Sequence, residues 1–381
     1  MKSPRSGKRK KSIPFTDLAR ATGLVSRAYL ARVKKFLERG LFVLSPEVEE
    51  FESALSKYVG SPHVVGVSNG ADAIYLALTA LGVGAGDEII TQGNAYNASV
   101  TAILRTGARA RFADIEERTL TVRPEAVEQL ITSKTKAILP VHLYGAVGDM
   151  QAIMDIARRH NLAVVEDAAQ AHGATYRGRH AGTWGDVGAF SFYPTKNLGA
   201  FGDAGAVVTN RADIAEKIRS IRNLGQSEKN VHDHLGFNMR LDPIQAIALS
   251  LKLKILSREI ALRRKAAELY LKHFEKAGLA SLIPHALPES AHSYHLFVIV
   301  LPRGSSRDGF QNALRAEGIE TAVHYPEVVY NQPFWKNLRL PFDVCPVAED
   351  IAKRIVSLPF YPTLPEGDAK RVALAVATFL K

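Results

Sequence analysis

A chain of 381 residues is long enough for a large domain and a smaller one, and 46% hydrophobic with 23% charged residues is ordinary for a globular enzyme. The formal net charge of +11 is unevenly spread: Lys2, Arg5, Lys8, Arg9, Lys10 and Lys11 precede residue 12 with no acid among them, leaving about +5 for the rest. That start (1–12) reads as a solvated basic tail, so a nucleic-acid partner is not expected, while the mildly basic body suits an anionic ligand. No run of about 18 uncharged apolar residues predicts a membrane span, and no apolar stretch follows the basic start as in a secretory signal. The single cysteine, Cys345, permits no intrachain disulfide and makes a poor nucleophile; a cytoplasmic protein without a bound metal is expected.

Residues 13–60 are predicted to be mostly helical, with Phe36, Leu37 and Leu41 and then Val48, Phe51, Leu55 and Tyr58 at helical spacing. A short apolar run at His63–Ser68 precedes a predicted helix over Ala71–Leu81 that Gly82 stops. Extended segments at 88–91, 110–113, 137–141 and 162–166 then alternate with helical ones at 98–106, 123–131 and 150–160. Apolar strands separated by helices predict a mostly parallel sheet covered on both faces, an α/β fold whose ligands gather at the carboxyl ends of the strands. Residues 241–276 read as one long helix, 295–301 as a strand, and 307–317 and 368–380 as helices. The expected division is a large domain over 13–250 and a smaller α+β domain over 251–381.

Three segments carry candidate chemistry. In Ser68-Asn69-Gly70-Ala71-Asp72 a strand passes through a turn into a helix, whose free amides and dipole can hold a phosphate; a plain strand-to-helix turn looks the same. Asp167 follows the buried-type strand Val164-Val165-Glu166, where a carboxylate can keep a cofactor pyridine nitrogen protonated; it also reads as a helix N-cap before Ala168-Ala169. Lys196 lies among small residues in Tyr193-Pro194-Thr195-Lys196-Asn197-Leu198-Gly199, where desolvation would favour a neutral, imine-forming amine over an ordinary surface lysine. A phosphate cradle, an acid and a lysine together are the parts that pyridoxal phosphate requires.

These stretches, above all Glu166-Asp167-Ala168-Ala169-Gln170-Ala171-His172-Gly173-Ala174 and Ser191-Phe192-Tyr193-Pro194-Thr195-Lys196-Asn197-Leu198-Gly199, resemble the DegT/StrS-type sugar-nucleotide aminotransferases. The likeness runs from about Ile13 to Pro359 and implies a fold-type I pyridoxal-phosphate transferase. It also implies that Lys196 carries the cofactor as a Schiff base and shuttles protons, that Asp167 pairs with the pyridine nitrogen, and that Gln170 lies near the phenolic oxygen. Tyr96 would stack on the ring, and Gly70, Ala71 and Ser191 would hold the phosphate. Asn238, in Gly236-Phe237-Asn238-Met239-Arg240-Leu241, would complete the phosphate site of a neighbouring subunit in a homodimer; a plain N-cap is its other reading. Tyr193, Arg240, His324 and Tyr325 are candidate substrate contacts. The run Gly202-Asp203-Ala204-Gly205-Ala206 is similar to that of members acting on dTDP-3-keto-6-deoxyhexoses, with L-glutamate as the donor. Members that dehydrate sugars carry histidine where Lys196 stands, so transamination is the expected reaction, ahead of a dehydratase or lyase or a non-catalytic regulatory relative.

Three departures stand out. Ala71 replaces a threonine, Gln92-Gly93-Asn94-Ala95 replaces the usual lead-in to the stacking aromatic, and Glu327-Val328-Val329-Tyr330-Asn331 replaces a proline-rich segment after His324-Tyr325-Pro326. If that last loop touches the sugar, its acid and tyrosine would alter the hydroxyl pattern accepted.

Overall fold

The computed structural model describes residues 11–380, so most of the basic tail lies outside the described residues. A seven-stranded sheet comprises β1 (His63–Val67), β2 (Glu88–Gln92), β3 (Arg109–Ala113), β4 (Thr135–Leu139), β5 (Ala163–Asp167), β6 (Val187–Ser191) and β7 (Gly205–Thr209), in the order β1-β7-β6-β5-β4-β2-β3. β7 runs antiparallel to β1 and β6, and the other pairings are parallel. The mostly parallel sheet flanked by helices is the α/β architecture expected.

Both faces of the sheet are covered, which is why Val164-Val165 and Ala137-Ile138-Leu139 are continuously apolar rather than alternating. Helix Met150–His160 shows how a connecting element is specified. Asp149 caps it by accepting from the Ala152 amide at 3.1 Å, and Asn161 ends it in the left-handed region at φ 52°. Its buried face is Met150, Ile153, Ile156 and Ala157, and each large side chain there contributes roughly 1.5–3 kcal/mol relative to exposure.

The expected single helix over 241–276 is two, Pro243–Leu253 and Leu256–Lys276. Ala246, Leu249 and Leu253, and beyond the break Leu256 and Ile260, pack with the sheet, whereas Ala267, Tyr270 and Phe274 pack in a C-terminal core, so the second helix itself spans the two cores. That second core joins helices Arg307–Ala316 and Glu366–Phe379 to an antiparallel pair, β8 (Phe297–Val300) and β9 (Ile355–Leu358). Ile13 is buried in it and bridges Ile319 in parallel, and the Phe360 amide donates to Phe15 O at 3.0 Å. Residues 328–352 instead return to the sheet, where Tyr330, Trp335 and Cys345 pack with Phe112.

No helix among the described residues is long and apolar enough to cross a membrane.

Candidate active site

β5 ends in two buried carboxylates that alternation sends to opposite faces of the sheet. Asp167 Oδ2 accepts a hydrogen bond from Ser99 Oγ at 2.6 Å, and Oδ1 accepts the Ala169 amide at 3.0 Å. No helix follows Asp167, so the N-cap reading fails; the chain turns through 168–174 instead. Glu166 is fully buried and accepts from the amides of Gly182, Trp184 and Gly185 at 2.8, 2.6 and 2.7 Å. Its Oε2 also lies 2.8 Å from His142 Nε2, so Glu166 fastens the 182–185 turn beneath the site.

The cradle forms where helix Gly70–Ala80 meets the end of β6. A Cβ on Gly70 would stand 2.5 Å from Ser191 Cβ, so only glycine admits this approach. Asn69 caps the helix through the Asp72 and Ala73 amides at 2.9 and 3.0 Å, leaving those of Gly70 and Ala71 without an intrahelical acceptor. The Asp72 charge there is offset by Arg105 at 2.7 Å.

Five residues on from Ser191, Lys196 sits in a tight turn, its amide donating to Tyr193 O at 2.8 Å. A Cβ on Gly199 would lie 2.3 Å from Pro194 O, which fixes glycine there. Burial lowers the Lys196 ammonium to about 8, and the nearby Asp167 carboxylate partly opposes that shift. Gln170 Oε1 accepts the Tyr144 amide at 2.8 Å while Nε2 donates to Tyr325 Oη at 3.2 Å. Tyr325 stacks on Tyr96 with ring centroids 4.7 Å apart, and burial raises its phenol well above the usual value. His324 Nδ1 lies 2.8 Å from Ser357 Oγ, and burial followed by the charge of Lys196 holds the ring down at about 4.

Residues 25–377 match the model of the DegT/DnrJ/EryC1/StrS aminotransferase family. The chain belongs to the DegT/DnrJ/EryC1/StrS aminotransferases. It is 40% identical over 371 residues to a pleiotropic regulatory protein of Geobacillus stearothermophilus, spanning 97% of this chain and 99% of that one. It is 42% identical over 365 residues to a dTDP-3-amino-3,4,6-trideoxy-alpha-D-glucose transaminase of Streptomyces venezuelae, spanning 96% and 95%. The crystal structure of S. venezuelae DesV in complex with a ketimine intermediate superposes with a TM-score of 0.91 at 41% identity, covering 97% of this chain and 99% of that one.

In this DegT/DnrJ/EryC1/StrS member the fold brings Asp167, Gln170, Lys196, Tyr96, His324 and Tyr325 together, with Gly70, Ala71 and Ser191 at the adjoining strand and helix ends. Asn238 stands apart: it is exposed, and the N-cap of the next helix is Asp242, so the capping reading of Asn238 fails. Arg240 donates to Asn223 Oδ1 at 2.9 Å, and Tyr193 is 52% exposed. Tyr330 is not a substrate contact. It is 1% exposed, its hydroxyl donating to Glu349 Oε1 and accepting the Cys345 amide, both at 2.9 Å, whereas Glu327 remains exposed. Cys345 is wholly buried, with its thiol pushed up by burial.

Sequence reasoning passed over Ser99 and the Glu166–His142 pair. Ser99 could have been found, since it lies three residues past Tyr96 in the first turn of helix Asn97–Arg105. The residues present fit pyridoxal phosphate. Two helix-end amides without an intrahelical acceptor lie beside the close Gly70–Ser191 approach, a buried carboxylate can pair with a protonated ring nitrogen, and a desolvated amine can condense with an aldehyde.

Proposed function

We propose that this protein is a pyridoxal-phosphate-dependent aminotransferase that moves an amino group from L-glutamate to a keto sugar carried by a nucleotide, with a dTDP-3-keto-6-deoxyhexose as the preferred class. The observation that carries this reading is the pairing of a buried, hydrogen-bonded Asp167 with a nearby Lys196 amine whose basicity burial has reduced. The dTDP-sugar transaminase similar over nearly the whole chain supports the substrate class.

When bound, the cofactor supplies an electron sink for the pair of electrons released at the donor carbon. Gly70, Ala71 and Ser191 would hold its phosphate, and Gln170 and Tyr96 would bind its ring. Asp167, oriented by the hydrogen bond it accepts from Ser99, would pair with the ring nitrogen. Lys196 Nζ would take up the proton from the donor carbon and return it to the acceptor carbon, a task suited to an amine that burial lowers to about 8. Tyr193, Arg240, His324 and Tyr325 line the sugar nucleotide's approach, and His324 stays neutral at physiological pH, donating or accepting without adding charge.

The working unit in this reading is a cytoplasmic homodimer in which the exposed Asn238 of one subunit completes the phosphate cradle of the other. Its subunits divide near residue 250 into a large cofactor domain and a smaller C-terminal domain. A glutamate-coupled assay over dTDP-, UDP- and GDP-linked keto sugars tests the proposal: production of 2-oxoglutarate and an amino sugar is expected with a dTDP substrate, and ammonia release instead would mark a lyase. The complete Asp167–Lys196 pair favours turnover over the regulatory role that one relative's name describes.

A further inference from the structure

Five buried side-chain atoms around Lys196 have no hydrogen-bond partner among the described residues: both ring nitrogens of His172, Asn197 Oδ1, Ser293 Oγ and His295 Nδ1. His172, Ser293 and His295 are 3%, 0% and 7% exposed, so bulk solvent does not satisfy them. The Ser191 backbone lies beside the His172 ring without meeting hydrogen-bond geometry.

These groups share one neighbourhood. Asn197 follows Lys196 and donates through Nδ2 to Ser293 O at 3.1 Å. Gly145, at φ +96°, backs the same place: a Cβ there would stand 2.5 Å from Ser293 Oγ and 2.9 Å from the His295 amide nitrogen. The Arg264 guanidinium spans Gly173 O and His292 O at 3.2 and 3.0 Å, drawing the residue after His172 to the one before Ser293. His172 is flanked by the rings of Phe190 and Phe192 at 5.4 and 5.5 Å.

Buried polar atoms left unpaired are costly, and proteins satisfy such clusters with internal water where two to four polar partners converge. The charged groups facing the cluster are Lys196 and Arg263, with His324 also in range of His295 and Asp167 in range of Lys196. Burial and then these cations keep both histidines neutral, and a neutral imidazole presents one donor and one acceptor.

We propose that His172, Asn197, Ser293 and His295 form a water-binding chamber behind Lys196, whose bound water accepts a hydrogen bond from the Lys196 ammonium. These four are positioning residues. Lys196 is partly exposed, and losing that water would remove one hydrogen-bond acceptor of the ammonium and make the amine less basic. The inference rests on Lys196 being the reactive amine, but the chamber is tested independently of any transamination assay.

The test has two parts, both on the full-length chain. A crystal structure of the cofactor-loaded or cofactor-free protein should show ordered water within hydrogen-bonding distance of at least two of the five atoms; a dry chamber, or side chains rearranged to pair directly, overturns the proposal. In cofactor-free protein, the Lys196 amine is titrated by NMR of isotopically methylated lysines, assigned with Lys196→Arg. Ser293→Ala and His172→Phe should each move the midpoint to lower pH, the second further. An unchanged midpoint in a folded variant overturns the assignment, and Ser293→Ala alone decides if His172→Phe does not fold.

Discussion

Ser99 Oγ lies 2.6 Å from Asp167 Oδ2, joining the first turn of one helix to the carboxylate at the end of β5. Asp167 has the Ala169 amide on its other oxygen, so both oxygens are held and the free lone pairs are aimed by the protein. Removing this bond deprives a buried charge of a donor, at a cost of about 1.5–3 kcal/mol. Ser99→Ala should therefore weaken pyridoxal-phosphate binding by about tenfold or more in fluorescence titration. Ser99→Thr, which restores a hydroxyl, should recover most of the affinity.

Because burial lowers Lys196 to about 8, its amine is mostly protonated below that pH and mostly neutral above it. Borohydride trapping of the cofactor aldehyde should fix label on Lys196, with an initial rate that rises through about pH 8. Labelling elsewhere would refute the assignment of Lys196. Since the Asp167 charge raises the Lys196 value, Asp167→Asn should shift this profile to lower pH while cofactor binding weakens.

Gly70→Ala would force a methyl against Ser191, at 2.5 Å from its Cβ with neither backbone free to move far. Overpacking of this kind costs about 1–3 kcal/mol. Cofactor affinity should fall more steeply than thermal stability, because the displaced amides are the ones assigned to the phosphate. Calorimetry with and without cofactor separates the two losses.

Asn238→Ala should leave the secondary structure unchanged, since the side chain is exposed and caps no helix. If Asn238 serves a second subunit, the variant should release cofactor faster on dialysis than the parent at equal protein concentration. Equal retention would remove Asn238 from the site.

Glu166→Gln replaces a fully buried carboxylate that receives three backbone amides with a group that must turn an N–H toward at least one of them. A loss of about 2–4 kcal/mol in denaturant unfolding is expected, from an unpaired donor in a hydrogen-bonded network.

Much of the fold was legible in the sequence because burial on both faces writes strands such as β4 and β5 as apolar runs between capped helices. β6 and β7 were not read, since Gly188, Gly205 and Ala206 replace bulky strand formers where backbones approach closely; a Cβ on Gly205 would meet Asn69 O at 2.4 Å. The break at Lys254-Ile255 carries no proline or glycine, and Leu253 and Leu256 on its two sides pack in the same core, so nothing local marks it. At the site, Asp167 and Lys196 were visible because each sits in a distinctive local segment. Ser99 and the Glu166–His142 pair were not, because their meaning lies in contacts 68 and 24 residues away. The role of Tyr330 was left conditional on its loop touching the sugar, and only the structure shows it enclosed by Phe112, Phe342 and Glu349.

The early residues 13–15 zip onto partners at 318–320 and 360, which bears on how the molecule comes off the ribosome. A chain made from its amino end keeps Ile13 without its partners until residues 318–320 and 360 have emerged. Slowing synthesis between Ile13 and Phe360 should thus prolong the interval in which the nascent polypeptide depends on chaperones, because the partners of residues 13–15 have not yet been made.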